Sequence, residues 1–151
     1  MKRLFALIII GITILTFCSC GGSTQNTEID INALGAYVAQ NGSFSENLEP
    51  VGSHAVLMSF NLEDSGVEAV EYATSSAVSE IFAAFKGDDV VLIQNAVQDK
   101  IDYLKESYAS YGPAEVPKIE SAVVITRGNC VIFCISADNT QAKKLIEDYI
   151  K

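Results

Sequence analysis

The strongest periodic signal in the chain runs from Val90 to Tyr111. Val90, Ile93, Val97, Ile101, Leu104, Tyr108 and Tyr111 recur there at intervals of three and four. Asp99, Lys100, Asp102, Lys105 and Glu106 fall largely off that stripe, so the spacing predicts a long amphipathic helix from Asp89 to about Ser110. Asp88 or Asp89 suits its N-cap, because a side-chain carboxylate can accept from the first free backbone amides. Gly112-Pro113 ends the helix, and Pro117 argues against its continuation.

Two β-rich runs follow, Ile119 to Thr126 and Cys130 to Ser136, joined by Arg127-Gly128-Asn129. They read as an antiparallel hairpin, with Gly128 free to take the turn conformation other residues resist. Before the long helix, Ala77 to Phe85 reads as a strand placing Ser79, Ile81, Ala83 and Phe85 on one face, stopped by Lys86-Gly87. After the hairpin, Asp138 and Gln141 have the spacing of a capping box, and a closing helix turns Ala142, Leu145, Ile146, Tyr149 and Ile150 inward.

The first half is less decisive. Ile29 to Val38 reads as a helix with Ile29, Leu34, Tyr37 and Val38 on one side, closed by Asn41-Gly42. Phe44 to Val51 is loosely helical or irregular. His54 to Phe60 holds five apolar residues without a clean period, so helix and strand stay level; as a helix, Ser53 could cap it. Asn61 to Gly66 is a polar turn, and Val67, Val70, Tyr72 and Ala73 mark a further short element. The expected fold is α+β: a small antiparallel sheet of about three strands, two main helices packed on one face, and N-terminal helical segments. The other face of the sheet is expected to meet solvent.

The chain opens differently. Lys2 and Arg3 precede a largely apolar run from Leu4 to Phe17, and the small, thiol-rich Cys18-Ser19-Cys20-Gly21-Gly22 follows. A basic start, a short apolar core and a small-residue exit is the anatomy of a signal peptide. Extended to Cys20 the run is only marginal for a membrane span, which takes roughly 20 apolar residues, so an uncut anchor helix is the competing reading. The exit resembles the lipobox of bacterial lipoproteins. Cys20 follows the small Ser19 and is favoured as the lipidated residue; Cys18 has the better Leu15 but follows the bulky Phe17. The expected organisation is a signal peptide at 1–19, a lipidated flexible tether at 20–28 and one α+β domain at 29–151.

Charge narrows the partners. Trimming at Cys20 would remove Lys2 and Arg3 and take the net charge from −9 to −11. No basic cluster survives, which argues against nucleic acid, whose phosphates demand Lys and Arg. It also disfavours electrostatic adhesion to anionic lipid, so membrane lipid is expected as a partner only through the anchor. Cys130 and Cys134 would sit about 13 Å apart on one strand, too far for a disulfide, and read as buried thiols.

Catalytic chemistry finds little support. His54 is the only histidine and has no neighbouring nucleophile or ligand set. Asp88-Asp89 fits capping better than calcium. Glu63, Asp64, Glu68 and Glu71 read as a solvated acidic patch. No catalytic, cofactor-binding or metal residue is assigned. Tyr103, off the helix stripe, and Arg127 and Asn129, at the hairpin tip, are the candidate partner-binding residues.

Three segments carry a family resemblance: AVSEIFAAFKG (Ala77 to Gly87), DVVLIQNAVQDKIDYLKESYASY (Asp89 to Tyr111) and SAVVITRGNCVIFCIS (Ser121 to Ser136). With the ending DNTQAKKLIEDYI and the FSENLEPV stretch, they make the chain similar to bacterial lipoproteins grouped as domain-of-unknown-function 4358. Cys130 stands where such proteins often carry a bulky apolar or aromatic residue. The resemblance implies location and fold, and brings no catalytic residue, cofactor or substrate. The expected function is a non-enzymatic binding or accessory module on the extracytoplasmic face of a cell membrane, docking an unknown protein or envelope component. The alternative is a hydrolase-like enzyme acting on an envelope or secreted substrate, which would need His54 or scattered carboxylates to converge in a cleft.

Overall fold

A computed structural model describes residues 28–75 and 77–151. The predicted signal peptide, the lipidation position Cys20 and all but the last residue of the tether lie outside the described residues.

The sheet has five antiparallel strands rather than about three. They are β1 (Glu49–Val51), β2 (Glu68–Ala73), β3 (Ile81–Lys86), β4 (Val123–Arg127) and β5 (Cys130–Ile135), in the order β1-β2-β3-β5-β4. The helices are α1 (Ile31–Asn41), α2 (Ser53–Ser59), α3 (Val90–Tyr111), α4 (Val116–Glu120, entered through a 3₁₀ turn at Pro113–Glu115) and α5 (Asn139–Tyr149).

The expectation of two helices on one face is also overturned. Apolar residues of α2, α3 and α4 pack on one face, over Ile81, Ala83, Phe85, Val131, Phe133 and Ile135. Those of α1 and α5 pack on the other, over Phe82, Ala84, Cys130, Ile132 and Cys134. The physical reason lies in the two central strands. Every residue of β5 and the first five of β3 are buried. A strand covered on both faces needs apolar side chains at every position, not at alternate ones.

Local signals placed most of the ends. Asp89 caps α3, its carboxylate accepting from the Leu92 amide at 2.9 Å. Asp138 caps α5 by accepting from the Gln141 amide at 3.0 Å, but the Gln141 side chain is the acceptor for the Ser43 hydroxyl instead of closing the box. Residues 53–59 resolve as helix, with Gly52 rather than Ser53 at the cap. Gly128 has φ +57° at the first position of the two-residue β4–β5 loop, the left-handed requirement of a type II′ hairpin. Gly35 lets α1 approach the sheet: a Cβ there would stand 2.8 Å from Cε2 of Tyr72.

Glu28 pairs with Lys86 at the end of β3, and Glu28, Ile29 and Asp30 border one recess together with Tyr149, Ile150 and Lys151. The two ends of the described domain therefore meet at one corner, on the α1–α5 side.

Candidate functional site

The α2–α3 side of the sheet carries a groove of about 370 Å³, lined by Ser59, Phe60, Asn61, Ala96, Asp99, Lys100 and Tyr103. The chain makes its floor from Phe60, the residue that closes α2, which is buried and meets Phe85 edge-on at 4.7 Å. Asn61, the next residue, has φ +54°, a left-handed conformation that asparagine tolerates better than most, and it turns the chain away at the groove's end. Tyr103 forms an exposed wall, with 63% of its surface open. Met58, on the exposed side of α2, is 55% open.

Lys100 lines the same groove. Its ammonium stands 5.2 Å from the centroid of Phe60 and 5.9 Å from that of Tyr103, within the range of cation–π attraction.

The same face of the sheet holds an unexpected carboxylate. Glu71, read from the sequence as part of a solvated acidic patch, is buried, whereas Glu63, Asp64 and Glu68 are exposed. It sits on β2 between Val51 of β1 and Ala83 of β3, and its Oε2 atom has no hydrogen-bond partner among the described residues. Burial raises its pKa above the usual carboxylate value, and the charge of Lys100 only partly opposes that. The missed signal was alternation: Ala69, Glu71 and Ala73 share one face of β2, so an inward position is occupied by an acid.

A folded-state pKa raised above 4.5 means the native protein holds this proton more tightly than the unfolded chain does. The favourable contribution is complete below 4.5 and is lost as pH rises through the folded value. Glu71→Gln is therefore expected to stabilise the fold at neutral pH by about 1 kcal/mol, with the gain shrinking in acid. Urea midpoints of both proteins at neutral and acidic pH measure this. A variant less stable than the parent at neutral pH would contradict it.

A second polar cluster lies at the end of the sheet where β3 begins. Glu80, 1% exposed, accepts from the Ser45 amide (2.5 Å), the Ser45 hydroxyl (2.7 Å) and Lys118 (2.9 Å). Lys118 also donates to Glu115 at 3.0 Å, and Glu115 accepts from the amide and hydroxyl of Ser79. Burial alone would raise the Glu115 pKa, but the Ser79 hydrogen bonds and Lys118 outweigh it and hold the carboxyl below its usual value. One ammonium bridges both carboxylates, so this arrangement ties α4 and the 43–46 loop to the sheet.

The sequence-predicted residues separate into two places. Arg127 and Asn129 are both exposed at the β4–β5 tip. Gln94 of α3 reaches Thr126 beside that tip at 2.9 Å. Tyr103 is nine residues further along the helix, about 13 Å away at 1.5 Å per residue. Tyr103 lines the groove; Arg127 and Asn129 do not. Tyr111, expected inside, is exposed at the end of α3 and stacks on buried Tyr108 at 4.8 Å. His54 is exposed in the first turn of α2 and does not line the groove either. Cys130 and Cys134 are free and buried, and burial pushes the Cys134 thiol up to about 12, so it stays protonated and unreactive at neutral pH. Among the described residues, no group of three or more His, Cys, Asp or Glu side chains is placed to hold a metal ion.

Residues 40–136 match the family described as Domain of unknown function (DUF4358). The chain belongs to that family. Neither a curated protein nor a solved structure matches it. The DUF4358 span holds all five strands, the groove, Glu71 and the Glu80–Lys118–Glu115 cluster. It stops before α5 and omits nearly all of α1, the two helices that cover the second face. The features on the α2–α3 side thus belong to the DUF4358 part of the molecule.

Proposed function

We propose that this chain is a lipid-anchored, extracytoplasmic binding module whose α2–α3 groove docks a segment of another protein. The observation that carries the docking half is the exposed Tyr103 wall beside a concave aromatic floor. Tyrosine offers a large amphipathic contact area at low entropic cost, and such anchors dominate binding energy at interfaces. The hydrolase-like alternative required His54 or scattered carboxylates to converge in a cleft; His54 is exposed on α2 away from the groove, and the carboxylates that do converge, Glu80 and Glu115, meet on Lys118.

The anchoring half rests on the apolar run from Leu4 to Phe17 and the Ser19-Cys20 exit. None of the described helices is long and apolar enough to cross a membrane. Two acyl chains, at about 0.8 kcal/mol per buried CH₂, would hold an acidic domain that has no electrostatic attraction to anionic lipid.

Two measurements test the two halves. Cys20→Ser is expected to abolish the acyl mass increment and release the chain from membranes, whereas Cys18→Ser retains both; unchanged mass and retention in both variants sinks the anchor. A photo-crosslinking residue at position 103 is expected to give a discrete adduct in cells, while the same residue at Val124, exposed on β4, gives none. Equal labelling from both positions would sink the docking surface.

A further inference from the structure

We infer that the α2–α3 groove receives a lysine or arginine side chain from a basic protein segment, and that Lys100 is an internal occupant which this guest displaces toward Glu71. The inference deepens the docking reading above and rests on it. Its starting point is a mismatch between two charges of the same chain. The Lys100 ammonium is held over the uncharged rings of Phe60 and Tyr103. Glu71, the buried carboxylate on which the charge of Lys100 acts, has an oxygen without a hydrogen-bond donor among the described residues.

The aromatic pair is therefore a cation site already filled from within. Lysine has a flexible four-carbon stem and a compact ammonium with three donors, so its head can be redirected without moving the helix. An incoming cation that takes the rings leaves Lys100 a buried, unsatisfied acceptor to turn to. The exchange keeps a cation on the aromatic faces and adds a charge-assisted hydrogen bond that the free protein lacks.

The charge of the guest follows from the surroundings. The chain carries a net charge of −9, and Asp99 stands on the groove itself. Such a field attracts a basic segment and repels an acidic one. Around Glu71 the neighbouring strands place Val51 and Ala83, and among the described residues Lys100 from α3 is the charge acting on it. The relocation pairs that mobile cation with this acceptor.

The test uses the full chain in detergent micelles at neutral pH, titrated with a short Lys- and Arg-rich peptide, its lysine-acetylated and arginine-free counterpart, and an acidic peptide. The basic peptide is expected to bind, and to shift the Lys100 ε-methylene resonances out of the ring-current field of Phe60 and Tyr103. Lys100→Met removes the internal occupant and is expected to tighten binding about five-fold. Glu71→Gln removes the alternative seat and is expected to weaken binding by about the same factor, yet to have no effect in the Lys100→Met background. Unchanged or weaker binding by Lys100→Met, absence of basic-peptide binding, or preference for the acidic or neutral peptide each overturns the inference. A discrete crosslink at position 103 accompanied by any of those results keeps the docking surface and removes only its cationic guest. Loss of that crosslink removes the docking reading itself.

Discussion

Replacing Lys118 by methionine is expected to lower the stability of the fold by about 3–5 kcal/mol. Glu80 has a fully buried side chain, and Lys118 is its cation at 2.9 Å. The same ammonium holds Glu115 at 3.0 Å. Methionine preserves much of the stem's volume but leaves two carboxylates facing a site with no countercharge. The loss thus reflects a stranded buried anion more than the worth of a contact.

Adding Glu80→Gln to Lys118→Met should recover part of the loss, because the residual charge is what costs. The pH dependence carries a second signature. Glu115, with its folded pKa below 4.5, stabilises the native state above 4.5, and that contribution is lost as pH falls through the folded value. Lys118 is raised above 10.5 by Glu80 and Glu115 against the opposing effect of burial. Its contribution is full below 10.5 and is lost as pH rises through the folded value. The parent should accordingly lose stability in acid more steeply than Lys118→Met. Urea unfolding at neutral pH and in acid reads both effects; a variant as stable as the parent at neutral pH would show that the bridge does not support the fold.

Phe133→Ala should cost a comparable amount, about 3–5 kcal/mol, by a different route. Phe133 is fully buried on central strand β5, level with Ala83 of β3 and Val124 of β4. The small Ala83 makes room for the large ring, which also faces Phe60 at 6.3 Å. Truncation opens a cavity that rigid neighbours on two strands and α3 cannot refill. Val124→Ala, on the exposed edge strand, should fall within about 0.5 kcal/mol of the parent. Denaturant midpoints for the pair separate cavity formation from general loss of apolar surface, and equal effects would refute the packing described. Because Phe60 floors the groove, Phe133→Ala should also disturb the resonances of Lys100.

The elements legible in the sequence are those with an uninterrupted local signal. The three-and-four spacing of Ile93, Val97, Ile101 and Tyr108 revealed α3, and Gly128 revealed the β4–β5 turn. Strand β1 was hidden because it has three residues, one of them Pro50, and exists through its pairing with β2. Helix α4 was hidden because Pro117 reads as a terminator, although proline fits the first turn of a helix, where it stands. The second covered face was written in the unbroken apolar run CVIFCI, but alternation was imposed on its neighbour IFAAF.

The site divides the same way. Tyr103 could be singled out because it leaves the stripe of its own helix. Lys100 looked like any solvated lysine, and Phe60 like any core aromatic. Glu71 looked like one acid among four. Their relation depends on α2, α3 and β2 meeting on one side of the sheet, and no local pattern encodes that meeting.

The shared corner of Glu28 and Lys151 has a geometric consequence. The described domain begins at Glu28 on the α1–α5 side, while Lys100 and Tyr103 open on the opposite face of the sheet. A fusion placed after Lys151 would leave from that same corner and not screen the aromatic recess. The same closeness means a short loop could join old ends in a circular permutant, with new ends cut at the exposed Glu63–Ser65 turn.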